Sequence, residues 1–304
     1  MKAPAVGRFA PSPSGPLHFG SLVAALASWF HIRRLGGRWL VRIEDLDPPR
    51  EVPGAADLIL HQLEAHGLTW DGEVLRQSRR CARYEEILEA LSQGGHTYPC
   101  SCSRTEVAAM GGRYDGRCRR RPPPEGPWAV RLHVPAELEV DFDDLYQGPQ
   151  RGRPADPGGD FVVRRRDGLF SYQLAVVVDD LDQGVTHVVR GADLLESTPR
   201  QLWLFRLLGA EPPRYGHVAV AVNRFGQKLS KQNHAPSLDR APPAANLRAA
   251  LAFFGLVAPA DLVSPEELLA WGLAHWHRAW VGGPPRPAPA AWADDGLAAP
   301  PASR

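Results

Sequence analysis

Val6-Gly-Arg-Phe-Ala-Pro-Ser-Pro-Ser-Gly-Pro-Leu-His-Phe-Gly-Ser21 is the stretch on which the reading of the fold turns. Val6 to Ala10 has the character of a short strand, and Pro11, Pro13, Gly15 and Pro16 then forbid regular structure. The apolar-rich segment from Gly20 to Leu35 reads as a helix stopped by Gly36-Gly37, and Trp39 to Ile43 as a second strand. This order makes a βαβ unit, and parallel sheets of such units place ligands at the carboxyl ends of their strands. The loop Pro11–Gly20 is therefore the first place to seek a site. It delivers His18 and Gly20 to a helix N-terminus, whose unsatisfied N–H groups and partial positive charge suit a phosphate. Alone, His-x-Gly is more often a plain surface turn.

Working outward, Ala56, Ile59, Leu60 and Leu63 keep helical spacing, and so do Tyr84, Ile87, Leu88 and Leu91 before Gly94-Gly95. From about Tyr98 to Gly168 the texture changes to Cys, Arg, Pro and short alternating runs such as Trp128, Val130, Leu132, Val134, which predicts an inserted β-rich subdomain without helical periodicity. Leu174 to Val178 fits either a buried strand or a buried helix. Val185 to Arg190 reads as a strand, Ser197-Thr-Pro199 as a helix start, and His217 to Val222 as another strand. Beyond Arg240 the chain is rich in Ala, Pro and Trp, with one helix expected at Pro265–Leu273 behind Ser264 and a loose stretch from Gly282 to Arg304. The expected division is 1–97 and 169–239 as two halves of one α/β parallel-sheet domain, 98–168 as the insert, and 240–304 as a short helical appendage with a Pro/Ala-rich tail.

Composition removes several classes. Of 304 residues, 44% are apolar and 23% charged, which suits a packed core and not a disordered chain. A net charge of +1 indicates no global affinity for nucleic acid, so any such surface must be local. No run reaches the ~20 apolar residues of a membrane span and the N-terminus lacks a signal-peptide core, so a cytoplasmic protein is expected. Four cysteines make a disulfide framework improbable. Cys100, Cys102 and Cys118 are close to a structural zinc set without an obvious fourth Cys or His; His96 is the nearest candidate, and Cys81 is read as a buried thiol in a helix start.

A second loop, Lys228-Leu-Ser-Lys231-Gln232, puts two mobile cations where charge on a transferring phosphate could be met, although alone it is an ordinary basic loop. Together and in this order, the two loops resemble the HIGH and KMSKS signatures of class I aminoacyl-tRNA synthetases. Arg8-Phe-Ala-Pro-Ser-Pro-Ser-Gly, Arg42-Ile-Glu44-Asp-Leu-Asp47, Val177-Val-Asp-Asp180, Val189-Arg190-Gly-Ala-Asp193 and Ser197-Thr-Pro resemble the glutamyl-tRNA synthetase catalytic core over roughly residues 6–240. The His18-Phe-Gly-Ser and Lys228-Leu-Ser-Lys-Gln-Asn-His-Ala forms, the Cys100-Ser-Cys insert and the lack of an anticodon-reading domain after the second loop resemble the glutamyl-Q tRNA(Asp) synthetase family.

That resemblance implies a class I synthetase Rossmann-type fold that activates L-glutamate with ATP and Mg²⁺ and esterifies it to queuosine in the anticodon loop of tRNA(Asp). Chemically, a dicarboxylic amino acid needs cations for two carboxylates and an acceptor for its ammonium; Arg8 and Arg190 supply guanidinium forks and Glu44 the acceptor. The resemblance adds Ala10, Ser12 and Tyr172 to glutamate binding. It implies His18, Gly20, Ser21 and Lys231 for ATP, and His18, Lys228 and Lys231 for catalysis. For one structural Zn²⁺ it implies Cys100, Cys102, Tyr114 and Cys118. A monomer is expected. The basic clusters Arg117, Arg119, Arg120, Arg121 and Arg164, Arg165, Arg166 are either a tRNA-backbone contact or a solvated face, and Trp271, Trp276 and Trp280 are read as packing residues.

Overall fold

The structure, a computed structural model, describes residues 4–122, 125–229 and 235–293. Its first half runs β1 (Val6–Phe9), α1 (Phe19–Arg34), β2 (Arg38–Ile43), α2 (Ala55–Ala65), β3 (Leu75–Arg76) and α3 (Cys81–Gln93). The inserted region follows as β4 (Thr97–Cys100), α4 (Arg104–Ala109), β5 (Ala129–Leu132), β6 (Val140–Asp144), β7 (Gly148–Gly152) and β8 (Phe161–Arg164). The chain then returns as α5 (Tyr172–Asp182), β9 (His187–Gly191), α6 (Thr198–Leu207), β10 (Arg214–Val218) and β11 (Ala221–Val222). It ends in α7 (Pro243–Phe253), α8 (Pro265–His275), β12 (Arg286–Pro287) and α9 (Ala290–Ala293).

Five strands form the central sheet in the order β10-β9-β1-β2-β3, all parallel. Strands β1 and β9 stand side by side at its middle, each continued by chain that departs in a different direction, and their carboxyl ends carry Arg8 and Arg190. This is where an open parallel sheet makes its ligand crevice. Close packing of α1 on β1 depends on Gly7, since a Cβ there would lie 2.3 Å from the Ile32 side chain.

Two apolar clusters hold the layers. The larger joins α1, β1 and β2 to α7, α8 and the end of the described chain through Leu22, Leu26, Phe30, Trp39, Leu251, Phe254 and Trp292. The second runs from α3 through Leu132, Val134, Phe161 and Val163 of the insert to α5 and α6. The insert therefore completes a core that the α/β unit begins, and beside it keeps only a small cluster of its own, Tyr98, Val107, Met110 and Tyr114 around the three cysteines. Its three-stranded antiparallel sheet β4-β5-β8 lies on that cluster, and the hairpin β6-β7 reaches across to β10.

Several expectations are corrected. Leu174–Val178 lies in a helix: Ser171 caps it, and residues 174–180 are buried on all sides, which erases any periodicity. The insert contains a helix after all, the short α4 with a Ser103/Glu106 capping box, too brief to show a period. Cys81 is exposed. His217–Val222 is not one strand, because β10 ends at Val218 and β11 begins at Ala221. Besides α8, the C-terminal region forms α7, whose Pro242-Pro243 start the composition disguised as loop. Within the stretch expected to be loose, Trp292 is 3% exposed and stacks on Phe19, while Trp280, expected to pack, is 75% exposed. Among the described residues no helix is long and apolar enough to cross a membrane.

Candidate active site

The first loop is fixed at four points. Glu44 N–H donates to the Pro11 carbonyl at 3.0 Å, Val52 N–H to Pro13 at 2.9 Å, Leu17 N–H to the Gln62 side chain at 2.7 Å, and Leu238 N–H to the Leu17 carbonyl at 2.9 Å. His18 is the N-cap of α1, its Nδ1 accepting the Ser21 N–H at 3.3 Å. That leaves the proton on Nε2, so the ring can donate beyond the helix end. Gly20 is closely confined: a Cβ would sit 3.1 Å from the His18 ring and 3.4 Å from the Leu229 carbonyl. Leu229 is the second residue of Lys228-Leu-Ser-Lys231, so the two signature loops, over two hundred residues apart in sequence, meet at Gly20. Lys228, which ends a tight turn tied by the Asn223 side chain, donates from Nζ to the Asp193 carboxylate just beyond β9. Lys231 lies outside the described residues.

Beside this meeting point is a buried ionic cluster. Arg8, 3% exposed, donates through Nε to Asp180 Oδ1 at 3.0 Å; among the described residues its terminal nitrogens have no protein acceptor. Arg42, fully buried, donates to the same carboxylate at 2.6 Å and to Gln183 Oε1 at 2.7 Å. Asp179 accepts Gln77, Arg80 and Tyr84. Burial drives the Asp180 carboxyl upward, but Arg8 and Arg42 outweigh it and hold the group below its ordinary range. Glu44, just after β2, sits 3.9 Å from Arg42 Nε with its Oε1 buried and unpartnered, and burial pushes it up to about 7 despite the two arginines.

Arg190 faces this cluster from β9. Its Nε donates to His217 Nε2 at 3.0 Å, Nη1 to the Tyr172 hydroxyl at 3.2 Å, and Nη2 to Thr198 Oγ1 at 2.9 Å and the Leu194 carbonyl at 3.3 Å. The structure thus brings Arg8, Glu44, Tyr172 and Arg190 to one sheet edge, with Ala10 half-buried and Ser12 exposed on the loop above. Chemically, the arrangement suits a small zwitterion with more than one carboxylate, next to a helix N-terminus whose N–H groups suit an anion.

In the insert, the sulfurs of Cys100, Cys102 and Cys118 lie within 4.8 Å of one another, a spacing one metal ion can bridge. The Tyr114 hydroxyl receives the Cys118 N–H at 2.9 Å, and its ring packs with Cys100 and Cys118. His96 is not in the cluster; it precedes β4 at the end opposite Cys100. Arg131 lies 4.0 Å over the Tyr114 ring and donates to Cys100 Sγ at 3.2 Å. Of the seven clustered arginines, four are paired with carboxylates: Arg117 with Asp115, Arg119 with Asp160, Arg164 with Glu85, and Arg165 with Asp47 and Asp167. Much of that charge is thus spent within the protein.

Sequence reasoning assigned no role to Arg42, Asp179, Asp180, Thr198, His217 or Asp144. The acidic pair had a signal, two carboxylates closing an apolar run, which is costly unless cations meet them. His217 and Asp144, 73 positions apart, had none.

A family model described as tRNA synthetases class I (E and Q), catalytic domain, matches residues 5–241. A curated protein of Ectopseudomonas mendocina named glutamyl-Q tRNA(Asp) synthetase is 53% identical over 280 residues, covering 91% of this chain and 94% of its own. One of Vibrio vulnificus with the same name is 51% identical over 273 residues, 89% of each chain. This chain belongs to the glutamyl-Q tRNA(Asp) synthetase family. As a glutamyl-Q tRNA(Asp) synthetase family member it is a ligase of the aminoacyl-tRNA synthetase type, with the class I parallel-sheet fold. A solved glutamate tRNA ligase from Elizabethkingia meningosepticum, in complex with its amino acid, superposes with a TM-score of 0.78 at 25% identity, covering 95% of this chain and 68% of that one. The glutamyl-Q family chain is thus similar to about two thirds of a longer ligase.

Proposed function

We propose that this enzyme activates L-glutamate with ATP in the absence of tRNA and transfers it to the queuosine base of tRNA(Asp). The observation that carries this reading is the meeting of the His18 and Lys228 loops at Gly20, next to a pocket with arginines on both flanks. In that pocket Arg8 and Arg190 face the two carboxylates of glutamate, Tyr172 lies against Arg190, Glu44 takes the ammonium, and the backbone around Ala10 and Ser12 closes the loop side. His18, Gly20, Ser21 and Lys231 bind the ATP phosphates, whose Mg²⁺ comes with the nucleotide.

The α-carboxylate of glutamate attacks the α-phosphorus, the bond to the β,γ-phosphates breaks, and glutamyl-adenylate and pyrophosphate form. His18 Nε2–H and the Lys231 ammonium, with Lys228 assisting, meet the charge that grows on the phosphates, so they act chiefly in the transition state. A hydroxyl of the modified base then attacks the adenylate carbonyl, AMP leaves, and the ester remains on the tRNA. No side chain is a covalent nucleophile.

The insert, residues 98–168, would hold one structural Zn²⁺ through Cys100, Cys102, Tyr114 and Cys118; three thiols at bridging distance and a phenol hydroxyl bonded to the Cys118 N–H suit a closed tetrahedral site. The ion would order the segment around α4 and take no part in the chemistry. The reading is tested with labelled glutamate and two tRNA(Asp) preparations, with and without queuosine. Glutamate-dependent ATP–pyrophosphate exchange should proceed without tRNA, and label should reach only the queuosine-containing tRNA. Equal labelling of both, or labelling lost after enzymatic removal of the 3′-terminal adenosine, would make this a shortened enzyme that charges the 3′ terminus.

A further inference from the structure

Arg190 is oriented by a chain of groups that reaches into the insert. Its Nε–H has no alternative but to donate, so His217 Nε2 must be a bare lone pair. The proton of the neutral imidazole then resides on Nδ1, which lies 2.5 Å from Asp144 Oδ2. Asp144 itself cannot turn: its other oxygen, Oδ1, accepts three backbone N–H groups, from Tyr146 at 3.0 Å, Gln147 at 2.9 Å and His217 at 3.0 Å. All of this is dry, His217 being fully buried and Asp144 5% exposed. Burial also holds the His217 imidazole below its ordinary value, in keeping with the neutral ring.

We propose that Asp144 and His217 are positioning residues for the glutamate pocket: the carboxylate at the end of β6 fixes the Nδ1–H tautomer of His217, and that tautomer aims the Arg190 guanidinium. The proposal rests on the reading of Arg190 as a glutamate ligand. It gives the inserted hairpin a task in amino-acid binding that is separate from the thiol cluster. It also makes a counter-intuitive demand on an isosteric change. In Asp144→Asn the three backbone donors keep the amide oxygen at the Oδ1 position, so the NH₂ group must face His217 Nδ1. Nδ1 then becomes the acceptor, the ring proton moves to Nε2, and two N–H groups confront each other across the His217–Arg190 contact. A carboxylate-to-amide change acting through the wrong tautomer is known to be far more damaging than its size suggests.

The test is ATP–pyrophosphate exchange on the full-length enzyme, with glutamate and ATP varied separately. Asp144→Asn should raise the KM for glutamate about 10- to 100-fold while kcat and the KM for ATP stay within about 3-fold, the signature of lost ground-state binding. His217→Phe should do the same. His217→Gln, whose amide can accept from Arg190 and donate to Asp144, should recover most of the loss. In ¹⁵N spectra of histidine-labelled protein, the buried ring should carry its proton on Nδ1 in the parent and on Nε2 in Asp144→Asn. An unchanged glutamate KM in Asp144→Asn, or equal KM values for His217→Gln and His217→Phe, overturns the assignment. Should Asp144→Asn not fold, the Gln and Phe pair decides. Arg190→Gln separates the two levels: a glutamate KM left unchanged there overturns Arg190 as a ligand, whereas a raised one beside a silent Asp144→Asn overturns only the positioning role.

Discussion

The pocket at the sheet edge and the thiol cluster of the insert both gather functional groups in a small volume, and they are balanced in opposite ways. In the pocket Arg8 and Arg42 share Asp180, and Arg190 is held by His217, Tyr172, Thr198 and a backbone carbonyl, so every cation meets acceptors of the chain itself. At the cluster three sulfurs and a phenol crowd together, and burial with the neighbouring sulfurs pushes Cys102 up to about 12. Thiols so placed resist ionising together unless a cation joins them. The pocket brings its own counter-charges, whereas at the cluster Arg131 favours the thiolate of Cys100 alone, and ionising the other thiols with it would need a further cation. Stability at the first should hinge on side chains, and at the second on an ion.

The largest effect expected from this contrast is that of Asp180→Ala. Two buried guanidinium groups would lose their shared carboxylate, and removing one partner of such a buried ionic set costs about 3–5 kcal/mol, readable by urea denaturation. A variant as stable as the parent would erase the contrast. Next is removal of the metal. At a free concentration of about 100 times its Kd, a bound ion contributes roughly 2.7 kcal/mol to folding, so chelation should lower the melting temperature while the glutamate KM moves less than about two-fold. Protein purified without chelator should carry one zinc per chain by elemental analysis, and Cys100→Ser combined with Cys102→Ser should carry none. A glutamate affinity that falls together with the metal would merge the two regions into one.

A finer probe is pH. Because Glu44 is raised to about 7 and would bind an ammonium only when ionised, the glutamate KM should climb about tenfold per unit as pH falls below about 7. Stability of the ligand-free enzyme should respond with the opposite sign. A carboxyl whose folded value is raised above its ordinary 4.5 contributes stability that is complete below that value and lost as pH rises through about 7. Glu44→Gln should flatten both profiles, and a flat KM in the parent would remove Glu44 from the pocket. The smallest change is Tyr114→Phe. It keeps the ring under Arg131 and should weaken the metal about tenfold in competition with a chelator, the lower end for a ligand-shell hydrogen-bonding partner or weak ligand. Unchanged affinity would give the fourth position to another donor.

What could be seen from sequence follows the same divide. Arg8, His18, Gly20 and Glu44 stand out because they lie near the end of a strand or at the start of a helix, where chain direction and residue chemistry coincide. The three cysteines stand out by type alone. Hidden from sequence were groups whose meaning is made only by packing. Asp180 reads as the end of an apolar run until β1 and β2 bring it two arginines, and His217 reads as a strand residue until a hairpin from the insert supplies Asp144. The helix over Leu174–Val178 and the helix after Pro242 were obscured by burial on all faces and by composition, the two circumstances in which periodicity carries no information.

Phe19, the residue after His18, is enclosed by the edge of Phe253 and the face of Trp292, 6.0 and 5.7 Å away between ring centres. Those rings come from α7 and α9, more than two hundred residues further along the chain, so the first turn of α1 is clamped by the opposite end of the described fold. Cutting the chain between α8 and α9 should consequently loosen that turn first, seen as faster amide exchange at Phe19 and Gly20 while the central sheet stays protected.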